Sequence, residues 1–202
     1  AKKVLDTILT RLVFNLYFVT KSFDVRVTFE TMNYRGKRLS HLELLKNRLM
    51  YLSTFLPNEE NHGRLLMNEI NNSWKEIYQN LCFDESQLSD DDYLRAHWIV
   101  YRRFNKRRKN MYIDDILEKD FSVDSSDYIK LINDKKYDEA YNYISLYIAS
   151  LSKYSLYWAF VNRPQSSRLK VENDQKIWIK RLARISKSIY LRTALMVVVE
   201  NK

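Results

Sequence analysis

Amides and cations concentrate around the first glycine of the chain, where Asn33, Arg35, Gly36, Lys37 and Arg38 are followed by Lys46 and Asn47. Gly and Asn tolerate the left-handed backbone that ends a helix, so Asn33-Tyr34-Arg35-Gly36 reads as a helix stop and a turn. A turn of this composition running into a helix start can hold an anion, because backbone amides and cationic side chains converge there. The competing reading of the same residues is a capped turn followed by a solvated helix face.

A second concentration is the basic run Arg102, Arg103, Lys106, Arg107, Arg108 and Lys109, with Tyr101, Phe104 and Tyr112 interleaved. Cations of this density neutralise phosphates, and rings among them stack on bases. The same run also fits a solvated helix end whose cations complement the negative end of the helix dipole. Asp90, Asp91 and Asp92 are hard oxygen donors of the kind that bind divalent cations. Ser89 stands directly before them, however, and a cap followed by carboxylates is the usual make-up of a helix start.

The three histidines, His41, His62 and His97, lack a second ligand at any zinc spacing, and no His-Glu-x-x-His occurs. No metal site is expected, and these imidazoles read as surface or partly buried groups with ordinary hydrogen bonds. Cys82 is the single cysteine, which excludes an internal disulfide and a thiolate metal cage; it reads as a packed thiol in a reducing compartment. The chain has no phosphate-binding Gly-rich loop, no Gly-x-Ser-x-Gly elbow and no His–Cys pairing, so no self-contained active site is visible.

The elements that must position these residues read as helices. Only 2 Gly and 2 Pro occur among 202 residues, too few for the tight turns of a sheet-rich fold. Hydrophobic residues make up 46% of the chain, with 15 Tyr and 4 Trp, ample for a packed core. The expected fold is mainly α, a multi-helix bundle with one short N-terminal strand. That strand, Leu12 to Val19, would pair with a missing upstream region or another molecule, since unpaired strand groups are costly when buried. Val4, Leu5, Ile8 and Leu9 before it follow helical spacing. After it, Asp24 fits the cap of a helix through Val25, Thr28, Phe29 and Met32, while Val25, Val27 and Phe29 also alternate as a strand does.

Ser40-His41-Leu42-Glu43 is a capping box, and Leu42, Leu45, Leu49 and Leu52 form the apolar stripe of the helix it starts. Leu66, Ile70, Trp74, Ile77, Tyr78 and Leu81 mark the buried face of the next helix. A helix from Ser89 runs toward Lys106, and others follow at Ile113–Lys119, Asp127–Ile132, Tyr137–Phe160 and Asp174–Glu200.

The net charge of +9 favours phosphate-bearing partners without identifying one. No apolar run reaches membrane-spanning length and no secretion signal is present, so a cytoplasmic chain without a membrane partner is expected. It opens at Ala1 without methionine and closes on Val197-Val198-Val199-Glu200-Asn201-Lys202, a helix without a cap, so both ends read as cut boundaries of a longer protein.

Phe29-Glu30-Thr31-Met32-Asn33-Tyr34-Arg35-Gly36-Lys37-Arg38-Leu39-Ser40, followed by Leu44-Leu45-Lys46-Asn47, resembles a signature of the GmrSD-type restriction enzyme family. The family pattern is Phe-Glu-x-x-Asn-x-x-Gly-x-x-Leu-(Ser/Thr), then Asp-Leu-x-Lys-Asn; this chain departs from it at Glu43, where the family usually has Asp. Trp74-Lys75-Glu76-Ile77 and Asp92-Tyr93-Leu94-Arg95-Ala96-His97-Trp98 follow in the family's order. The resemblance implies the later, mostly helical part of a ParB-like nucleotide-responsive domain. Residues 1–56 would be the end of that region, carrying the signature, and residues 57–202 a helical region.

Phe29 and Leu39 would pack the signature, while Asn33, Arg35, Gly36, Lys46 and Asn47 would shape or face a nucleotide site. The parent protein would be a nucleotide-dependent antiphage restriction enzyme acting on modified DNA, using a nucleoside triphosphate with a divalent cation. An upstream Asp-Gly-Gln-Gln-Arg motif and a downstream HNH-type nuclease domain would lie outside this chain, which would bind no cofactor and be inactive alone. The alternative is a noncatalytic helical module that binds nucleic acid through Arg102 to Lys109, or a protein-interaction scaffold.

Overall fold

Apolar side chains recurring every three and four residues dictate the architecture: among the described residues every regular element is helical. The computed structural model describes residues 2–11, 39–57, 61–82, 87–103, 111–185 and 188–201. The chain divides into two units, residues 1–38 and 39–202. In the first, helix α1 (Lys2–Arg11) carries the helical spacing of its apolar residues, with Val4 and Leu9 exposed. The expected strand at Leu12–Val19, the segment Asp24–Met32 and the turn Asn33–Gly36 lie outside the described residues.

In the second unit α2 (His41–Ser53) buries Leu42, Leu45, Leu49 and Leu52 completely, as their spacing requires. Each buried leucine contributes roughly 1.5–3 kcal/mol of transfer free energy. The chain turns at Thr54–Pro57 into α3 (His62–Leu81), whose face Leu66, Ile70, Trp74, Ile77 and Leu81 is buried, with Tyr78 at its edge. The turn is tight enough that a Cβ on Gly63 would stand 2.8 Å from the Ser53 carbonyl oxygen. Gly63 is therefore there for close approach of the two helices.

Helix α4 (Asp90–Arg102) begins at Ser89, whose hydroxyl accepts the Asp92 N–H at 3.2 Å. Expected to run toward Lys106, it ends at Arg102, because Arg103 takes the left-handed backbone (φ 50). Helix α5 (Met111–Asp115) passes directly into a π-helical turn at Ile116–Asp120, closed by Phe121 N–H donating to the Ile116 carbonyl at 2.8 Å. Arg48 of α2 fixes this turn by donating to the carbonyls of Leu117 and Phe121 at 2.7 and 3.0 Å.

Helix α6 (Asp127–Asn133) is capped by Ser126 and leads to α7 (Tyr137–Asn162), the central helix of the unit. α7 packs along α3 with the two helices running the same way. Ser145 Oγ donates to Glu69 at 2.8 Å and Ser152 Oγ to Glu76 at 2.6 Å, a polar pair repeated every seven residues. Asn80 Nδ2 donates to Ser155 Oγ at 2.8 Å at the next turn.

The expected single helix from Asp174 to Glu200 is two, α8 (Asn173–Ile185) and α9 (Ile189–Glu200). Ser188 between them is extended (ψ 133), so the helical backbone cannot pass through it. α9 packs on α7 and α4, and Glu200 at its end accepts from Lys153 Nζ at 2.8 Å and from the Tyr154 hydroxyl. Among the described residues no helix is long and apolar enough to cross a membrane.

Candidate functional site

The capping box read from sequence forms as expected and is embedded in a larger network. Ser40 N–H donates to Glu43 Oε2 at 2.9 Å, and Glu43 N–H donates to Ser40 Oγ at 3.3 Å. From α4, Asp91 Oδ1 accepts the His41 N–H at 2.7 Å. The Tyr112 hydroxyl lies 2.6 Å from His41 Nδ1 and donates to the Asp91 carbonyl at 3.2 Å. A turn that begins α2 is thereby pinned to α4 and α5.

Charge gathers at this junction. Burial raises the Asp90 carboxyl above its ordinary range, offset in part by hydrogen bonds from Ser40 and Gln87. Burial, together with the Asp90 and Glu43 charges, pushes the Tyr78 hydroxyl up to about 12. Burial also holds Tyr112 protonated, reinforced by Asp91 and Asp92.

The chemical consequence concerns anions. The backbone N–H groups of Ser40, His41 and Glu43 already have carboxylate or hydroxyl acceptors, so these three amides at the start of α2 are not open to a phosphate. The part of the expected anion site that lies among the described residues is Lys46 and Asn47, both half-buried on the second turn of α2 and engaged by no other described residue. Asn33, Arg35 and Gly36 lie outside the described residues.

The second expected site is divided differently. Arg102 Nε donates to Asp120 Oδ2 at 2.7 Å, with Nη2 on the same oxygen, and its guanidinium lies 5.4 Å from the Tyr101 ring. Its planar fork is thus used in tying the end of α4 to the π-helical turn. Arg103 is exposed at the C-cap, and Lys106, Arg107, Arg108 and Lys109 lie outside the described residues.

No family model, curated protein or solved structure matches the chain.

The histidines have separate surroundings. His97 is fully buried, which corrects the expectation of a surface or partly buried ring. Tyr93, Tyr101, Tyr147 and Tyr154 surround it, its Nε2 is 3.0 Å from Ser150 Oγ, and burial pushes it down to about 3, so it is neutral at neutral pH. His62 Nε2 lies 3.6 Å from Asp138. Among the described residues no three His, Cys, Asp or Glu side chains gather as a metal site. Cys82, expected to be a packed thiol, is exposed: it caps α3 one residue beyond the last buried position, Leu81.

Two features went unread in the sequence. Asp91 was legible as part of its own helix start, but nothing local marks it as the acceptor for His41. α8 was legible only as helical, yet Ile179 is its one buried residue, and Lys180, Arg181, Arg184 and Trp178 are exposed on it. A groove of about 950 Å³ runs between α7, α8 and α9, lined by Tyr157, Phe160, Trp178, Ile179, Leu195 and Val199.

Proposed function

We propose that this chain is the helical part of a nucleotide-dependent restriction protein acting on modified DNA. In this reading the signature from Phe29 to Asn47 shapes the nucleotide site through Asn33, Arg35, Gly36, Lys46 and Asn47. The observation that supports it best is the start of α2. Ser40, at the end of the signature, caps the helix, while Glu43 and Asp91 fix its first amides. This holds Lys46 and Asn47 at set positions on the next turn, half-buried and engaged by no other described residue.

Glu43 matters to the reading because it stands where the family usually has Asp. Its longer arm closes the capping box onto Ser40, so the substitution keeps a carboxylate at the same junction. Because the Ser40, His41 and Glu43 amides are occupied, phosphate groups would be met mainly by side chains of the signature and by Lys46. The nucleoside triphosphate and its divalent cation belong to the parent protein.

The test is binding of a fluorescent nucleoside triphosphate to the parent protein, read by anisotropy. Lys46→Ala is expected to weaken it by about tenfold, the scale of one charge-assisted contact to phosphate. Equal affinity in a folded Lys46→Ala protein would remove Lys46 from the site.

A further inference from the structure

Helix α8 presents cations that have no acidic partner among the described residues. Lys176, Lys180, Arg181 and Arg184 make no ion pair with any described residue, and Asp174, in the first turn, is the one acid on the helix. Some cations on other elements have an acidic partner: Lys119 with Asp115, Lys130 with Asp127, Lys136 with Glu139 and Lys153 with Glu200. Unmatched charge on one exposed face produces a positive field suited to a polyanion.

Large apolar groups lie among these cations. Trp178 is 60% exposed, and Ile177 and Ile185 are exposed beside it. Trp178, Arg181 and Ile185 fall at spacings of three and four and so share one stripe, with Lys180 and Arg184 on the adjoining one. The Arg181 guanidinium lies 5.2 Å over the Trp178 ring. An indole beside an arginine and open to solvent is a platform for an unpaired base, with Arg181, Arg184 and Lys180 following round the helix on one side of it for the phosphates.

We propose that the exposed face of α8 binds single-stranded nucleic acid, with Trp178 stacking on a base and Lys180, Arg181 and Arg184 contacting the backbone. A single strand is favoured over a duplex because stacking on Trp178 needs a base that is not already stacked. A lipid surface is disfavoured because Ile179, the buried residue of α8, faces the protein, and the remaining face mixes cations with apolar groups instead of offering a continuous apolar stripe. Its residues are other than those of the basic run at Arg102–Lys109, and the proposal does not rest on the nucleotide-dependent reading.

The four tryptophans give the test its signal. Trp74, Trp98 and Trp158 are buried, so emission quenchable from solvent comes from Trp178. Titrating the whole chain with an oligo-dT strand is expected to quench that emission; in Trp178→Phe the quench disappears while a labelled strand still binds by anisotropy. Trp178→Ala should lower affinity roughly tenfold, the scale of one lost base stack. Lys180→Glu with Arg181→Glu and Arg184→Glu should lower it further and reduce the slope of log affinity against log salt by about 2. Lys75→Glu on α3, a charge change away from α8, should leave binding unchanged.

Equal affinity in the Trp178→Ala and triple variants would overturn the proposal. So would tighter binding to duplex DNA or phosphatidylserine vesicles than to oligo-dT, or no strand binding by the unaltered chain. Nucleotide binding by the parent protein is expected to survive every α8 substitution, so failure of either proposal is visible separately.

Discussion

The Asp91 carboxylate on α4 accepts the His41 backbone N–H at 2.7 Å, capping α2 from 50 positions further along the chain. The bond joins two helix starts: Asp91 lies in the first turn of its own helix and at the same time satisfies the first turn of another. Asp91→Ala therefore removes a cap and a tertiary tie together, and is expected to cost about 1–2 kcal/mol in urea unfolding. Asp92→Ala, which loses only a favourable dipole interaction, should cost about 0.5 kcal/mol. The opposite ranking would show that the His41 contact contributes little.

Gly63→Ala tests the approach of α2 to α3. Helix propensity alone would make the change stabilising by up to about 1 kcal/mol. A Cβ 2.8 Å from the Ser53 carbonyl oxygen meets backbone, which cannot rotate away, so the helices must separate. A net destabilisation of about 1–3 kcal/mol is expected. A raised melting temperature would mean that the turn at Thr54–Pro57 yields easily.

The elements that follow a local rule were legible in the sequence. Leu42, Leu45, Leu49 and Leu52 announce one face by spacing alone, and the Ser40 box needs only four consecutive residues. The break at Ser188 was not legible, because apolar residues continue on both sides of it and the sequence there carries neither Gly nor Pro. The π-helical turn at Ile116–Asp120 depends on Arg48, far away in sequence. Of the candidate site, the cap was readable, but the Asp91 and Tyr112 contacts were not, since they are set by how α4 and α5 dock.

The burial of His97 carries a pH dependence with a definite sign. Folding lowers its pKa from an ordinary value near 6.5 to about 3, so the unfolded chain binds a proton that the folded chain refuses between those values. The stabilisation is complete above pH 6.5 and falls by about 1.4 kcal/mol for each pH unit below it. The surrounding groups, Tyr93, Tyr101, Tyr147 and Tyr154, stay neutral through that window. His97→Gln should flatten the loss of stability between pH 6.5 and pH 5, measured by urea unfolding. Parallel pH profiles for the two proteins would contradict it.

Cys82 is exposed at the end of α3, so it should react with a disulfide reagent such as Ellman's in the folded chain without denaturant. One thiol titrating within minutes is the expected result. Reaction only after unfolding would place the thiol in the interior instead.

Nucleotide turnover by the parent protein carrying Asn33→Ala is the most direct measurement of the central claim. Asn33 belongs to the Phe29–Asn47 signature and Lys46 and Asn47 to α2, and the proposed function assigns all three to the nucleotide site. Turnover reduced by at least about tenfold, with the urea midpoint unchanged, is the expected result. Turnover equal to that of the unaltered protein would contradict the assignment of the site to this signature.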